Sequence, residues 1–163
     1  MGPSGCGKTT LLNILMGFLQ PDKGTVTGIP EQKSAVFQED RLCEPFSAVS
    51  NIRMVCKRDV DIQTIKNHLA YVGIKENSIN LPVSELSGGM RRRVAIVRAI
   101  LAESKIIFMD EPFKGLDADT KQIVIQYVKE HTRDKTVVLV THSPEEVNEF
   151  SGNLIFMDFA DKK

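Results

Sequence analysis

Apolar residues along the chain follow two patterns. In residues 61–72 the apolar side chains recur at helical spacing, which predicts a helix with one buried face. Residues 105–109 and 136–140 are instead short, continuous apolar runs. Such runs are typical of strands that are buried on both faces.

The remaining segments continue the alternation of strand and helix. Further elements are expected, in chain order, at residues 11–18 (helix), 34–37 (strand), 90–101 (helix), 117–130 (helix), from Pro144 (short helix) and near 154–157 (strand). Strands that alternate with helices predict a parallel sheet in an α/β fold.

Composition narrows the class of protein. The chain has 163 residues, of which 42% are hydrophobic and 26% charged, as expected of one globular domain. Lys+Arg and Asp+Glu both number 21, so no global basic field exists and we expect no nucleic-acid partner. The apolar runs are far too short to span a bilayer. The three cysteines fit no metal-ligand spacing, which favours a reduced, cytoplasmic setting.

The chain opens on a glycine-rich loop. Residues 2–9 match the phosphate-loop pattern G-x-x-x-x-G-K-[ST] and run into a predicted helix. Glycines allow phosphate oxygens to approach the backbone, whose N–H groups and following helix N-terminus then face the anion. Lys8 is expected to reach the β- and γ-phosphates, and the Thr9 hydroxyl to ligate Mg²⁺. The predicted nucleotide contacts are Gly2, Pro3, Ser4, Gly5, Cys6, Gly7, Lys8, Thr9 and Thr10. The alternative is a glycine-rich turn with an exposed lysine.

Two carboxylates end the strand predicted at residues 105–109. Asp110 and Glu111 precede Pro112, at the end of a parallel strand where ligands bind in open α/β sheets. Asp110 is predicted to be a partner of Mg²⁺, which leaves Glu111 to orient or deprotonate a water molecule. The alternative is a polar strand end followed by a turn.

Four further segments occur in a recognisable order. Gln38 follows a predicted strand, residues 86–91 read Leu-Ser-Gly-Gly-Met-Arg, residues 115–117 read Gly-Leu-Asp, and His142 follows another predicted strand. With the phosphate loop and the acidic pair, this order closely resembles that of the ABC ATPases, over nearly the whole chain. Met90 stands where the family's signature usually has glutamine.

The resemblance implies an architecture and a set of contacts. It implies a P-loop NTPase (RecA-like) core, with helices on both faces of a parallel sheet, made of residues 1–45 and 100–163. Residues 46–99 would form a small helical subdomain that carries the signature motif. ATP would lie between two head-to-tail protomers, contacted across the interface by Ser87, Gly88, Gly89 and Asp117. Taken alone, Ser87 could instead be a simple helix cap.

The resemblance also implies the roles of two polar residues. His142 would contact the γ-phosphate, and Gln38 would sense Mg²⁺ and the attacking water, which makes both candidates for catalysis beside Glu111. In isolation His142 could be an ordinary loop residue and Gln38 an exposed amide. The run Arg91-Arg92-Arg93 is interpreted as a solvated or ion-paired helix face.

The chain is interpreted as the ATPase subunit of an importer, bound to the cytoplasmic face of the membrane. Its partners would be transmembrane permease subunits, a second ATPase protomer and, indirectly, a solute-binding protein. Residues 38–52 resemble the nitrate, sulfonate and taurine importer group, with Pro45 and Phe46 displaced by one position. The alternatives are a non-transport ABC ATPase and a truncated, inactive remnant.

Only Met1 precedes the phosphate loop. The resemblance implies strands and an adenine-stacking aromatic residue upstream of that loop, so we expect the sequence as given to be truncated at its N-terminus. Loss of a central strand removes about 5 to 15 kcal/mol of burial, comparable to the stability of a whole domain. On this reasoning the 163-residue chain neither melts cooperatively nor hydrolyses ATP.

Overall fold

Strands and helices alternate through residues 1–158, the part of the chain that the computed structural model describes. The elements are α1 (Lys8–Met16), β1 (Lys33–Val36), α2 (Ala48–Arg53), α3 (Ile62–Tyr71), α4 (Glu76–Ile79), α5 (Gly88–Leu101), β2 (Ile106–Asp110), α6 (Ala118–His131), β3 (Thr136–Val140) and α7 (Pro144–Glu149). A short 3-10 helix, Val83–Glu85, precedes α5. No described helix is both long and apolar enough to cross a membrane.

The three strands form one parallel sheet in the order β1-β2-β3. Val36 of β1 pairs with Met109 of β2, and Asp110 of β2 pairs with Val140 of β3. The carboxyl ends of all three strands therefore lie at one edge of the sheet. This arrangement confirms the predicted parallel α/β fold.

Strand β2 divides the core between the two faces of the sheet. All five of its residues are buried, and their side chains alternate between faces because a strand has a period of two. Ile106 and Phe108 pack in a cluster with Leu12 of α1. Ile107 and Met109 belong to the larger cluster, which includes residues of α3, α5 and α6. Helices thus cover both faces, as predicted.

Side-chain caps fix where three of the helices begin. Asp61, Ser87 and Asp117 each accept a hydrogen bond from the backbone N–H three residues later, at the starts of α3, α5 and α6. Such a cap satisfies a donor that the first helical turn leaves free, and contributes about 1 kcal/mol. The predicted helices at these places therefore begin close to where the structure has them.

Two strand predictions need correction. Residues 154–157 are not a strand. The Met1 amino group donates to Ile155 O and Met157 N–H donates to Met1 O, both at 2.7 Å. That pairing is too short for a ladder.

Strand β3 is present, but it is less buried than predicted, since Val140 is its one buried residue. The reason is that β3 lies at the edge of the sheet that the described residues form, where it pairs with β2 alone.

A buried asparagine holds the loop that precedes α2. Asn51 is fully buried; its Oδ1 accepts from Cys43 N–H at 2.8 Å, and its Nδ2 donates to the carbonyls of Cys43, Phe46 and Ser47 at 3.0–3.2 Å. One side chain therefore satisfies backbone groups that have left regular structure. This bonding fixes the path of residues 43–47.

Replacing Asn51 with alanine is expected to lower the free energy of unfolding by about 2–4 kcal/mol, because it leaves buried backbone groups without partners. Asn67→Ala is the matched control, since Asn67 lies exposed on α3 and, among residues 1–158, its side chain accepts a hydrogen bond only from Gln63. Urea unfolding of both variants measures the difference. Equal stability of the two variants would contradict the structural role given to Asn51.

Candidate functional site

The phosphate loop turns sharply into α1. Gly5 and Gly7 have φ values of 84° and 97°, in the left-handed region that only glycine adopts without strain. Gly7 is the residue that caps α1, and Lys8 is its first helical residue. The buried Lys8 ammonium donates to the carbonyls of Gly2 and Pro3, both at 2.7 Å. Lys8 therefore lies over the loop, as its predicted role requires.

Thr9 and Asp110 meet although 101 residues separate them in the chain. The Thr9 hydroxyl donates to Asp110 Oδ2 at 2.6 Å. Asp110 is buried at the carboxyl end of β2, so the sheet brings its carboxylate to the first turn of α1. A hydroxyl and a carboxylate are hard oxygen donors of the type that Mg²⁺ prefers. This pair fits a magnesium ion.

Glu111 has an unusual backbone and two charged neighbours. Its φ is 46°, a left-handed conformation that costs a residue with a Cβ roughly 1–3 kcal/mol and that clusters at functional sites. The Glu111 N–H donates to Val140 O at 2.9 Å, which ties this turn to β3. The carboxylate bonds to His142 Nδ1 at 3.1 Å and lies 3.3 Å from Lys114 Nζ.

These neighbours keep the Glu111 carboxyl ionised. Burial raises its pKa, but the contacts with His142 and Lys114 outweigh the burial and hold the pKa below the ordinary value of a glutamate. An ionised carboxylate is the form that accepts a proton. The sequence predicted Glu111 and His142 for one site, and the structure places them in contact.

Gln38 lies beside the Thr9–Asp110 pair. It follows β1, and with Thr9, Asn13 and Asp110 it lines a cavity of about 200 Å³. Each strand of the sheet thus ends beside a predicted site residue: Gln38 after β1, Asp110 in β2, and His142 after β3. This is the edge at which open parallel sheets bind ligands.

The signature turn, residues 86–89, forms a second group. Ser87 caps α5, and Gly88 opens the helix with no neighbour within 4 Å of the Cβ position. A Cβ on Gly89 would lie 3.5 Å from Leu116 Cδ2, so the turn rests against residues 115–117. Asp117 is occupied as the cap of α6. The structure thus brings Ser87, Gly89 and Asp117 to one region, and their contact with a nucleotide stays a prediction.

Sequence reasoning missed how the arginines of α5 are used. Arg92 is only 8% exposed, whereas the run of three arginines was interpreted as a solvated or ion-paired face. It is ion-paired with Asp40, but it faces inward, where it donates to the carbonyls of Phe37 and Gln38. The helical period contained this information, since Arg92 stands four residues before the buried Ile96. Lys114 was also missed, because its ion pair depends on the turn at Glu111.

Comparisons with known proteins agree with this geometry. The profile of the ABC transporter family matches residues 1–114. A taurine import ATP-binding protein of Roseobacter denitrificans is 39% identical over 174 residues, which cover 96% of this chain and 63% of the relative. A thiamine import ATP-binding protein of a Chelativorans species is 33% identical, covering 97% of this chain and 71% of the relative.

Solved structures show the same fold. A dimeric ATP-binding cassette in a post-hydrolysis state, bound to ADP and phosphate, has a TM-score of 0.81 and 26% identity, covering 98% of this chain and 81% of its own. A dimeric bacterial ABC transporter cassette has a TM-score of 0.81 and 28% identity, covering 97% of this chain and 79% of its own.

The chain spans about 63% of the length of the taurine-importer relative and of another that it matches. The family profile nevertheless covers more than half of the chain, and the relatives match almost all of it. With the site geometry, these matches show that the chain belongs to the ABC transporter family.

Proposed function

We propose that this chain carries the residues that bind ATP and hydrolyse it, and that in the whole protein this hydrolysis powers solute import through a membrane permease. The observation that carries the proposal is the convergence of Thr9, Asp110, Glu111 and His142 at one edge of the sheet. These are the groups that nucleotide hydrolysis needs: a phosphate loop, an acidic metal partner and a base. The import ATP-binding proteins among the relatives support the role in import.

The phosphate loop is proposed to hold the phosphates of ATP. Its left-handed glycines and the start of α1 aim backbone N–H groups and a positive dipole end at one point. The Lys8 ammonium would exchange its bonds to the loop carbonyls for bonds to phosphate oxygens. The contacts assigned to this role are those predicted above for residues 2–10.

Thr9, Asp110 and Gln38 are proposed to hold Mg²⁺. The 2.6 Å bond between Thr9 and Asp110 supports this, because it brings two hard oxygens together at the loop, and Gln38 lines the same cavity. When bound, the ion neutralises negative charge on the phosphates.

Glu111 is proposed to be the general base. Its ionised carboxylate would take a proton from the water that attacks the γ-phosphorus, as the bond to the β-phosphate oxygen breaks and ADP leaves. His142 bonds to the same carboxylate, which favours a role in orienting Glu111 and in contacting the γ-phosphate. Gln38 would help to position the water.

A second copy of the chain is proposed to complete the site. Ser87 and Gly88 are exposed, and a glycine turn at a helix start offers free N–H groups to an anion. With Gly89 and Asp117 they would contact a nucleotide held by the partner's loop. The dimeric cassettes among the solved structures support this arrangement.

The permease is proposed to contact Glu44, Phe46 and their neighbours, within the region from Phe37 to about Ile52. Phe46 and Met54 are 51% and 55% exposed, and Phe46 is held in place because its carbonyl accepts from Val83 N–H at 2.9 Å. Phe46 and Met54 belong to the proposed helical subdomain of residues 46–99, whereas Glu44 lies at the end of the first core segment of the proposed division, 1–45 and 100–163. The taurine-importer relatives favour a solute of the nitrate, sulfonate and taurine group.

The location and remaining partners follow from the same proposal. The subunit would be peripheral, on the cytoplasmic face of the membrane, and a solute-binding protein would act on it only through the permease. No role in nucleic-acid binding is proposed, because the charges of the chain balance.

Glu111→Gln, made in a full-length version of the protein, is expected to retain ATP binding and to lower hydrolysis by about 100-fold or more, because the amide cannot accept the proton. It should also accumulate an ATP-bound dimer, if dimer opening follows hydrolysis. Nucleotide binding, phosphate release and sedimentation measure the three effects. Glu31→Gln, at an exposed loop position, is the control, and near-normal turnover of Glu111→Gln would rule out Glu111 as the base.

Lys114→Met is expected to move the acid limb of the pH–rate profile of ATP hydrolysis to higher pH. Lys114 helps to lower the pKa of Glu111, so the loss of Lys114 raises that pKa. As the pH falls, Glu111 is then protonated at a higher pH, and a protonated carboxyl cannot act as the base. Above the limb the rate should change little. Lys57→Met is the control, because Lys57 has similar exposure and pairs with the distant Glu103. If the acid limb of Lys114→Met is not shifted, Lys114 does not set the pKa of the group that acts as the base.

Glu44→Lys is expected to weaken transport in the assembled importer while the ATPase rate of the isolated subunit stays nearly unchanged. Glu44 is exposed in the segment proposed to contact the permease. Glu76→Lys, an exposed change on α4, serves as the control. Equal loss of transport and ATPase activity would place residue 44 in the catalytic core instead.

A further inference from the structure

A buried arginine joins the signature helix, α5, to the segment that follows β1. Arg92 lies one turn into α5 and is 8% exposed. Its Nη1 donates to Phe37 O and its Nη2 to Gln38 O, and its Nε lies 3.2 Å from Asp40 Oδ1. All of these contacts are with residues 37–40, so one side chain of α5 fixes the backbone at Gln38.

Burial makes this attachment specific. A guanidinium that leaves water needs partners for its donors, or it costs several kcal/mol. Here two carbonyls accept its hydrogen bonds and a carboxylate lies beside its Nε, and residues 37–40 supply all three. Asp40 Oδ1 is itself buried and accepts no aligned hydrogen bond. Burial raises the pKa of Asp40, and the attraction of Arg92, followed by those of Arg91 and Arg98, offsets part of that rise.

A second arginine of α5 holds the same segment further along. Arg98 donates to Arg41 O at 2.8 Å and to Asp40 O at 3.0 Å. Arg41 adopts a φ of 46°, and its guanidinium lies 3.8 Å from the centre of the Phe37 ring. The segment from Phe37 to Arg41 is therefore attached to α5 at both of its ends.

The attachment connects two groups of site residues. The start of α5 is capped by Ser87 in the signature turn, and Gln38 lines the cavity beside Thr9 and Asp110. Any displacement of α5 thus acts on the backbone of Gln38 through Arg92. Arg91, the preceding residue, donates instead to Leu86 O at the start of its own helix. Within the part of the chain that the structure describes, it acts on Asp40 through its charge and not through a hydrogen bond.

We propose that Arg92 is a positioning residue, which holds Gln38 in place beside the Thr9–Asp110 pair. Through Arg92, the position of Gln38 depends on the position of the signature turn. It touches neither of the two oxygens of that pair and acts only through Gln38. The effect on hydrolysis rests on the proposed function. The anchoring of residues 37–41 does not.

The first experiment measures the anchor without nucleotide. Hydrogen–deuterium exchange of the backbone amides of residues 37–41 is compared in the full chain, in Arg92→Gln and in the control Arg91→Gln. Exchange is expected to accelerate in this segment in Arg92→Gln and to stay unchanged in Arg91→Gln. Arg92→Lys, which keeps the charge but gathers its donors on one nitrogen and lacks the planar fork that reaches both carbonyls, should lie between them.

The second experiment tests whether Arg92 acts through Gln38. Arg92→Gln is expected to lower kcat for ATP about tenfold, equivalent to about 1.4 kcal/mol, with KM for ATP unchanged. In a Gln38→Ala background the same change should have little further effect, because residues that act as a unit are not additive. Arg92→Lys should restore part of kcat.

Each outcome decides the proposal. Unchanged exchange at residues 37–41 in Arg92→Gln overturns the anchor. Faster exchange with an undiminished loss of kcat in the Gln38→Ala background shows that Arg92 acts apart from Gln38, and overturns the positioning role. A whole, wild-type protein that hydrolyses no ATP contradicts the proposed function, while the exchange measurement still decides the anchor. If Arg92→Gln fails to fold, Arg92→Lys gives the same two measurements.

Discussion

The parallel register of β1, β2 and β3 is the constraint on which the site depends. It aligns Val36 with Met109 and Asp110 with Val140, so the residues that follow the three strands emerge side by side. A shift of one residue in any pair would exchange the side chains that pack on the two faces, and would move the polar ends apart. The fully buried β2 makes such a shift costly, and the same burial that stabilises the sheet therefore sets the distances in the site.

Several contacts in the site serve stability and chemistry together. Asp110 is buried, and a buried carboxylate needs a donor, which Thr9 supplies at 2.6 Å. The left-handed turn at Glu111 is strained, and its N–H bond to Val140 helps to hold it. The fold thus keeps these groups in place through contacts that already exist within one chain.

Local pattern in the sequence was enough for most of the sheet and the long helices. β2, β3, α5 and α6 were predicted to within about two residues, because apolar period and capping residues such as Ser87 and Asp117 are local properties. The phosphate loop and the acidic pair were also readable, since each is a contiguous motif. The meeting of Thr9 with Asp110, and of Glu111 with His142, followed from the parallel topology.

What the sequence did not give depends on distant contacts. The strand predicted at residues 154–157 was wrong, because apolar residues alone do not supply a ladder partner. The inward position of Arg92 and the four bonds of Asn51 depend on which backbone carbonyls lie nearby. No local composition specifies those carbonyls, so these residues became visible only in three dimensions.

The attachment of residues 37–41 to α5 has a mechanical consequence. Arg92 and Arg98 are six residues apart on one helix of 14 residues, which separates their Cα atoms by about 9 Å along the axis. A single anchor would leave a pivot, about which the helix could tilt while the loop stayed still. Two anchors at this separation resist tilt as well as sliding, so the loop and the helix move together as one rigid body. Thermal motion at either end is thereby transmitted to the other end rather than absorbed between them.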